Sequence, residues 1–476
     1  TSRAYATALT SQGGSLELQG GNLDLNGANT YTGETKIYGG RLTVNGSLSD
    51  STAVDVSSGA TYQLGSADTI SGLEGAGDVD LNGNELTVNQ AITSLPFSGS
   101  ITGSAATSNL RKSGEGILSF SGSTNSYQGS TFIDGGTLSI SGVPNNNSNI
   151  EVSSGATLEF DVSNSQAYGG IVSGVGDLRK ISSGSLELSG LNTYTGETIV
   201  SGGTLSMSGS GVLSDSTSVD VSNGAIYQLG SAAAIAGLSG AGSVDLNGNA
   251  LTVNQAASTQ SSFAGVISGS AAGSELIKAG SGSLILTGNN TYVGSTSVQD
   301  GTLSLSVSDA LVANTDVAVV SPGVFSVLSD NSVGSISGTG SISIDSSTLT
   351  AGGTNDTSFS GVISGSGSFE KVGSGTLTLT GNNTYSSETR INDGILSVGS
   401  TGSLSQQAKV FVGSTGIYEI QSEGSVGSIE GSGSISLGSS TLTVGNDNVN
   451  RTFSGVISGS GGLVKVGSGT LSLTGI

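Results

Sequence analysis

One phrase recurs five times along this chain of 476 residues, and a sixth copy begins at its C-terminal end. The phrase is a Leu-x-Leu pair, a Gly, Asn-Thr-Tyr or a close variant, and then Gly-Gly-Thr-Leu or its equivalent. Internal repetition of this length predicts a solenoid or a linear array. The copies span residues 21–44, 116–140, 184–207, 282–305 and 375–398, with a partial copy at 469–476.

A second level of repetition shows that the phrase comes from duplication rather than from biased composition. Residues 48–90 align with residues 213–255 without a gap and differ at nine of 43 positions. The copies are not separated by Pro-rich or charged linkers. Because solenoids grow in one dimension, we expect residues 1–476 to form a single continuous solenoid rather than three globular domains.

The composition also fits a flexible linker, which is the plain alternative. Gly supplies 80 positions, Pro only 3, and charged residues are 10% of the chain. Disordered linkers, however, lack regular apolar alternation and usually carry more charge or proline. The alternation described below therefore favours a folded chain.

The chain contains no Cys and no His. Their absence excludes Ser-His-Asp and Cys-His catalysis, imidazole acid–base chemistry, disulfides and nearly every type of structural zinc site. We predict no catalytic residues, no metal ligands and no cofactor, and the sequence does not identify the residues that bind a partner.

The formal net charge of −22 and a pI near 4.1 argue against nucleic acid as a partner, because phosphate binding requires clustered Lys and Arg. Five of the seven lysines occupy one equivalent position before each repeat, which indicates a periodic structural feature rather than a basic patch. They are Lys112, Lys180, Lys278, Lys371 and Lys465.

No run of 18 apolar residues occurs, so this segment is not expected to insert into a membrane. The chain begins at Thr1 without a charged-then-apolar leader and stops within a repeat. We therefore expect it to be a piece of a larger, processed protein.

Short alternating segments predict β-strands with one buried face. In residues 376–380, Leu377 and Leu379 alternate with threonines, and similar pairs occur throughout the chain. We expect Leu379 to face inward and Thr378 outward. Antiparallel sandwiches would need self-contained repeats and primed two-residue turns, so a parallel β-helix is favoured.

Three features that recur in the repeat have structural interpretations. Gly135-Gly136 and Gly202-Gly203 are expected in corners that need positive φ. Asn29, Asn125, Asn192, Asn290 and Asn383 are expected to form Asx-turns rather than an asparagine ladder. Tyr31, Tyr127, Tyr194, Tyr292 and Tyr385 are expected to pack over corners, with sugar stacking as the alternative.

The segment from Lys371 to Tyr385, continuing from Ile391 to Val398, closely resembles the passenger-associated repeat of bacterial autotransporters, also called the autotransporter-associated β-strand repeat. The resemblance extends across essentially the whole chain. It implies a right-handed parallel β-helix with ~20 to 24 residues per turn, which would give about 20 turns and a rod of roughly 100 Å at the usual strand spacing.

The resemblance further implies an exported protein on the surface of a Gram-negative cell, carried through the outer membrane by a C-terminal β-barrel that these residues do not include. Members of the family act as adhesins, as self-associating factors in aggregation and biofilm, or as stalks. One departure is that copies here fill the chain, whereas many members have only a few.

Three functions follow from these patterns. The leading hypothesis is adhesion or self-association, with another copy or a host, matrix or glycan surface as the partner, through repeated polar faces that give avidity. The second is a passive stalk or filament shaft that presents a distal domain. The third is a polysaccharide-acting enzyme, since parallel β-helices can carry paired carboxylates.

The sequence defines no site among the acidic residues. Asp24, Glu187 and Asp393 lie within the repeats, and no catalytic pair can be nominated among them. Asp78 with Asp80, and Asn446, Asp447 and Asn448, have the oxygen ligands that Ca²⁺ prefers. Neither the calcium-binding nonapeptide Gly-Gly-x-Gly-x-Asp nor an EF-hand loop occurs in the sequence. We therefore favour the interpretation that these residues are solvated turn residues over a calcium site.

Overall fold

Every regular element in the described part of the chain is a β-strand, and every strand pairing there is parallel. The computed structural model describes residues 3–5, 8–93, 96–122, 125–141 and 148–475. Residues 123 and 124 of the second repeat and Ile476 of the partial copy lie outside it. The predicted all-β class and the parallel solenoid are confirmed.

The chain divides into two compact units, residues 1–233 and 234–476, and each is described by itself. That they form one continuous solenoid stays a prediction from the sequence. The first unit contains short strands, the last of which ends just beyond it: Arg3–Tyr5, Leu16–Leu18, Asn22–Leu25, Thr35–Ile37, Gly40–Val44, Ala53–Val56, Ala60–Leu64, Asp68–Ile70, Gly72–Gly75, Asp78–Asp80, Leu86–Asn89, Ser100–Gly103, Leu110–Ser113, Ile117–Phe120, Ser126–Tyr127, Thr131–Ile133, Thr137–Ile140, Ile150–Val152, Thr157–Asp161, Gln166–Tyr168, Val172–Gly174, Asp177–Ile181, Ser185–Leu188, Thr198–Val200, Thr204–Met207, Ser218–Val221, Ile226–Gln228 and Ala233–Ile235.

The second unit has the same style, with two longer strands in its C-terminal half. Its strands are Gly237–Gly240, Ser243–Asp245, Leu251–Asn254, Gln260–Phe263, Val266–Ser268, Leu276–Ala279, Ser283–Leu286, Thr296–Val298, Thr302–Leu305, Asp316–Val319, Val324–Val327, Asn331–Val333, Ser335–Gly338, Ser341–Ile344, Thr348–Ala351, Thr357–Phe359, Val362–Ser364, Ser368–Lys371, Thr376–Leu379, Glu388–Val398, Lys409–Ile420, Gly424–Val426, Ser428–Gly431, Ser434–Ser436, Thr441–Val444, Arg451–Phe453, Val456–Ser458, Gly462–Lys465 and Leu471–Leu473.

The length of one coil follows from the spacing between residues that pair on successive coils, and this length varies. Gln63 pairs with Asp80, below the lower limit that the resemblance implied. Leu251 pairs with Leu276, one residue beyond its upper limit. Many other coils fall within that range or next to it. The implied range is therefore close to the centre of the observed lengths but too narrow.

Inward side chains of successive coils stack into apolar columns. In the first unit, Leu118, Leu138, Leu158 and Leu178 pair in register and are fully or almost fully buried. In the second unit, Leu284, Leu303, Phe325, Ile342 and Ile363 do the same. Each such side chain contributes about 1.5–3 kcal/mol on burial, so the columns hold the coils together.

Only one glycine of each Gly-Gly pair in the repeat has the positive φ that the sequence suggested for both. Gly136 and Gly203 have φ of +61° and +62°, and a Cβ on Gly203 would lie 2.1 Å from the carbonyl oxygen of Gly184. Gly135 and Gly202, by contrast, do not have positive φ. The prediction is confirmed for the second glycine of each pair and wrong for the first, because only one residue has to reverse the chain direction.

Candidate functional site

The repeat lysines are buried inside the coils. Lys112, Lys180 and Lys278 are fully buried, and Lys371 is 1% exposed. Each stands in an inward stack between aliphatic or aromatic residues of the neighbouring coils; Lys278, for example, lies between Val253 and Val298. An ammonium group in such a place must be hydrogen-bonded, because burial of an unpaired charge is very costly.

Backbone carbonyls supply those bonds. The Nζ atom of Lys278 donates to the carbonyl oxygens of Ala279 at 2.7 Å, Gly280 at 2.6 Å and Asp300 at 3.2 Å, the last of which belongs to the next coil. Lys112, Lys180 and Lys371 have the same three-carbonyl arrangement.

These lysines therefore join consecutive coils, and the prediction of a structural role is confirmed for these four. Lys465 differs in being exposed, and it bonds the carbonyls of Val466 and Gly467.

The repeat asparagines also join coils, which corrects the expectation of Asx-turns. Asn383 accepts a bond from the backbone N–H of Ile363 on the preceding coil. Its Nδ2 donates to the carbonyl oxygens of Gly381 and of Ser403 on the next coil. Asn29, Asn192 and Asn290 make the equivalent bonds, and Asn125 accepts from Ile101. An Asx-turn would instead bond locally, two residues further on.

The repeat tyrosines are interior residues. Tyr194 and Tyr385 are fully buried, and Tyr31, Tyr127 and Tyr292 are at most 5% exposed. Each hydroxyl pairs with the hydroxyl of a threonine four residues later at 2.5–2.7 Å, as in Tyr385 with Thr389. The prediction that they pack is confirmed, and sugar stacking on these rings is excluded because their faces are covered.

The buried tyrosines and lysines predict a stability maximum on the alkaline side. Burial raises the pKa of Tyr31 and Tyr127 to about 12, and it raises the pKa of seven further tyrosines, which are Tyr62, Tyr168, Tyr194, Tyr227, Tyr292, Tyr385 and Tyr418. Above pH ~10 the unfolded chain releases these phenol protons and the folded chain keeps them, so stability falls as the pH rises.

Burial lowers the pKa of Lys112 and Lys278 to about 8. Between pH ~8 and ~10.5 the unfolded chain therefore holds more protons than the folded one, and stability rises with pH. We expect the thermal midpoint, followed by circular dichroism, to increase up to pH ~10 and then to drop steeply. Lys278→Met should weaken the rise but leave the drop; a midpoint that declines steadily from pH ~8 would contradict the lysine contribution.

An inward position shared by four repeats leads to the candidate site. This position holds an aromatic residue that pairs, on the next coil, with the leucine of the Gly-Gly-Thr-Leu phrase. The pairs are Leu42 with Tyr62, Leu205 with Tyr227, Leu303 with Phe325 and Leu396 with Tyr418. Six residues after each aromatic ring, another strand begins. We call its first residue the corner residue, and the four corner residues are Asp68, Ala233, Asn331 and Gly424.

At the first corner, a carboxylate is enclosed by donors. Asp68 is 4% exposed. Its Oδ2 accepts from the hydroxyl of Tyr62 at 2.6 Å, and its Oδ1 accepts from the backbone N–H of Leu48 at 3.0 Å and of Thr69 at 3.1 Å. Burial nevertheless raises the pKa of Asp68, with the bonds acting in the opposite sense. This corner is an internal binding site for a carboxylate.

The other corners hold different groups in the same place. Asn331 fills its corner with a carboxamide, whose Oδ1 accepts from the N–H of Ala310 at 2.8 Å and whose Nδ2 donates to the carbonyls of Val307 and Ser329. Ala233 has only a methyl group, and the buried hydroxyl of Tyr227 has no partner among the described residues. Gly424 brings no side chain.

The Gly424 corner opens into a groove of about 400 Å³ within the second unit. Its lining is polar, with Leu404 and Gly424 as the exceptions, and includes Ser403, Gln406, Glu423, Ser425, Thr441 and Thr443. These residues come from three consecutive coils. The groove is the candidate functional site.

Sequence reasoning missed this corner, although a signal for it exists. Asp68 and Ala233 are one of the nine differences between the two duplicated segments, and that difference marks a place where one copy has a partner for its tyrosine and the other does not. Gly424 lies outside the duplication and could be compared only after the strand register was known.

The acidic residues singled out within the repeats are not brought together in the structure described. Asp24 and Glu187 lie on coils that are not neighbours, and Asp393 lies in the second unit. Asp80 accepts bonds from Gln63 and from the N–H of Asn82, and Asp78 accepts from Ser100. Within the residues described, no group of three Asp or Glu is close enough to hold a metal ion.

The second cluster considered for calcium is also engaged in bonds within the protein. Asn446 donates to Ser425, Asp447 accepts from the N–H of Val449, and Asn448 accepts from the N–H of Ser468. These contacts place the three residues in a turn that joins neighbouring coils.

Several half-buried basic residues are paired with acids on the outer face. In the second unit, Lys409 lies 3.3 Å from Glu388 and 3.2 Å from Glu430, and Arg451 lies 3.6 Å from Glu430. Arg390 lies 4.2 Å from the ring centre of Phe411 on the next coil. In the first unit, Arg111 contacts Glu85, Asp134 and the ring of Phe132 in a similar way.

Comparison with known proteins adds three findings. The family model of the passenger-associated-transport-repeat matches residues 19–44, 110–140, 178–207, 276–305, 369–398 and 463–476. These are the repeats found above, and four of the matches extend upstream far enough to include the buried lysines.

The chain is also 32% identical over 446 residues to the adhesin BmaC autotransporter of Brucella suis biovar 1 (strain 1330). This alignment covers 80% of the chain but only 12% of the length of that relative. No solved structure matches the chain. Among the described residues there is no helix of the length and apolarity that a membrane crossing requires.

Proposed function

From the premise that this chain is an autotransporter passenger segment built on the passenger-associated-transport-repeat, we propose that it acts at the surface of a Gram-negative cell as a non-catalytic adhesive module. The relative that supports this proposal is named an adhesin, and the chain corresponds to about an eighth of it. The adhesive role of the segment itself is our inference.

The observation that carries the proposal is the regular outer coating of hydroxyl groups. On one outer position of the second unit, Ser326, Ser343 and Ser364 lie in register on successive coils, each half-buried. Such columns repeat weak hydrogen-bonding groups at the ~4.8 Å spacing of parallel strands. Many weak contacts in register give avidity, so a second copy or a glycan surface is a suitable partner.

A stalk is the second candidate, and a different observation favours it. The residues that define the repeat are engaged internally: the tyrosines pair with threonines, and the asparagines and four lysines bond the backbone of neighbouring coils. The recurrence of these residues is therefore explained by their contribution to the stability of the coils alone. Recognition, if it resides in this segment, must use residues that differ between repeats.

Display on a heterologous bacterium tests the adhesive role. Cells that display the whole chain should settle faster and attach better to glycan-coated or matrix-coated surfaces than cells that display an unrelated β-solenoid of similar length. In parallel, the purified chain should show association by sedimentation at micromolar concentration. Equal settling and attachment, together with a strictly monomeric chain, would select the stalk.

A further inference from the structure

The Gly424 corner lacks the acceptor that two other corners supply from within the chain. At the Asp68 corner, two of the three donors are the N–H of Leu48 and the hydroxyl of Tyr62. Leu48 follows Ser47, whose carbonyl accepts from a repeat asparagine, and Leu404 follows Ser403, whose carbonyl accepts from Asn383 in the same way. Leu404 and Tyr418 therefore stand where Leu48 and Tyr62 stand.

Those two donors are unused at the Gly424 corner. Tyr418 is 1% exposed and Leu404 is 5% exposed, yet neither the Tyr418 hydroxyl nor the Leu404 N–H has a hydrogen-bond acceptor within the described ranges. The hydroxyl oxygen of Tyr227 is fully buried without a partner, whereas that of Tyr418 is not fully buried, so an acceptor that enters from solvent can reach it. An unpaired pair beside an open groove indicates a place for an acceptor from outside the chain.

The space at Gly424 can take such a group. A Cβ built on Gly424 would have Leu442 Cδ1 as its nearest neighbour at 3.5 Å, which is ordinary van der Waals contact. The corners of Asp68 and Asn331 show that a carboxylate or a carboxamide fits this environment. The choice between them depends on the charge at the groove.

The charge favours a neutral amide. Glu423 lines the groove, and it would repel a carboxylate placed beside it. Asn331 shows how a neutral amide is held, since its oxygen accepts from a backbone N–H and its nitrogen donates to the carbonyl two residues earlier, that of Ser329. The equivalent carbonyl at the Gly424 corner is that of Ser422.

We propose that the Gly424 corner binds the acetamido group of an N-acetylated sugar, with Leu404 N–H and Tyr418 hydroxyl donating to its carbonyl oxygen and Ser422 carbonyl accepting from its N–H. The sugar ring then lies in the groove, where Ser403, Gln406, Glu423, Ser425, Thr441 and Thr443 offer partners for its hydroxyl groups. The site rests on the proposed adhesive function and gives it a ligand class.

Saturation-transfer NMR on the purified chain tests the site with free sugars. N-acetylglucosamine and N-acetylgalactosamine should give signals that are strongest at the acetamido methyl group, whereas glucose and glucuronate should give little. The affinity of one such site is expected to be weak, on the order of millimolar, so detection must extend to that range.

Two variants connect binding to the corner. Gly424→Asn supplies the missing carboxamide from within the chain, as Asn331 does in its own corner, and should reduce binding by at least about tenfold without unfolding the protein. Tyr418→Phe removes one donor and should reduce it by about fivefold. Ala233→Asn makes the same change in another corner and should leave binding unchanged.

The outcomes are distinct. Signals of equal strength from glucose and N-acetylglucosamine, or binding that persists in folded Gly424→Asn, would overturn the site. Binding of glucuronate alone would overturn the amide assignment. If the wild-type chain binds neither sugar but still confers cell attachment, the site is wrong and the adhesive function stands; if it binds N-acetylglucosamine without conferring attachment, the reverse holds.

Discussion

Leu379→Asp is expected to unfold the coil that carries it and to lower the free energy of unfolding by about 4 kcal/mol or more. Leu379 is fully buried, and it pairs with Phe359 on the preceding coil and Val398 on the next. A carboxylate there would have no donor and would disrupt the apolar column on both sides. Because each coil contacts only its neighbours, hydrogen exchange should accelerate first in Thr357–Phe359 and Glu388–Val398.

Thr378→Asp is the matched control on the opposite face of the same strand. Thr378 is half-buried and lies between Ser358 and Ser397, whose hydroxyl groups can donate to a new carboxylate. We expect a change within about 0.5 kcal/mol. Equal shifts of the thermal midpoint for the two variants would show that the facing of this strand is misassigned.

The facing of such strands was predictable because period-two alternation alone determines which side chains share a face. Residues 376–379 show the predicted alternation of half-buried and buried positions. The role of the lysines was predictable for a related reason. A charge that recurs at one place in a repeat, next to buried leucines, is a structural element of that repeat.

The asparagines were mispredicted because their partners lie on other coils. Asn383 bonds Ile363 and Ser403, each 20 residues away, and no local rule indicates that a turn amide will bridge three coils. The candidate site was hidden for the same reason. Its donors, Leu404 and Tyr418, and its open corner, Gly424, come together only through the strand register, which the variable length of the coils leaves undetermined in the sequence.

Tyr62→Phe and Tyr227→Phe are expected to have different effects on stability, although the two residues occupy the same position in duplicated segments. Tyr62→Phe removes a donor from the buried carboxylate of Asp68, and hydrogen bonds to charged groups contribute about 1.5–3 kcal/mol, so the free energy of unfolding should fall by about that amount. Tyr227 has a buried hydroxyl with no acceptor in the described part of the chain. Tyr227→Phe removes the cost of that burial and should leave stability unchanged or raise it by about 1 kcal/mol.

The destabilisation caused by Tyr62→Phe should become smaller in acid. This pH dependence distinguishes the loss of a hydrogen bond to a carboxylate from the loss of packing around the tyrosine ring. Burial raises the pKa of Asp68, so the folded protein takes up a proton there more readily than the unfolded chain, and the cost of burying the carboxylate disappears as the pH falls through the folded-state pKa. Below that pKa the carboxyl group is neutral and depends less on the Tyr62 donor. Urea unfolding of both variants and of the wild type, from pH ~7 downwards, measures the free energies of unfolding. Two outcomes would contradict the assignment of the Asp68 corner as an internal carboxylate site. One is a destabilisation by Tyr62→Phe that stays constant with pH, and the other is a loss of stability in Tyr227→Phe equal to that in Tyr62→Phe.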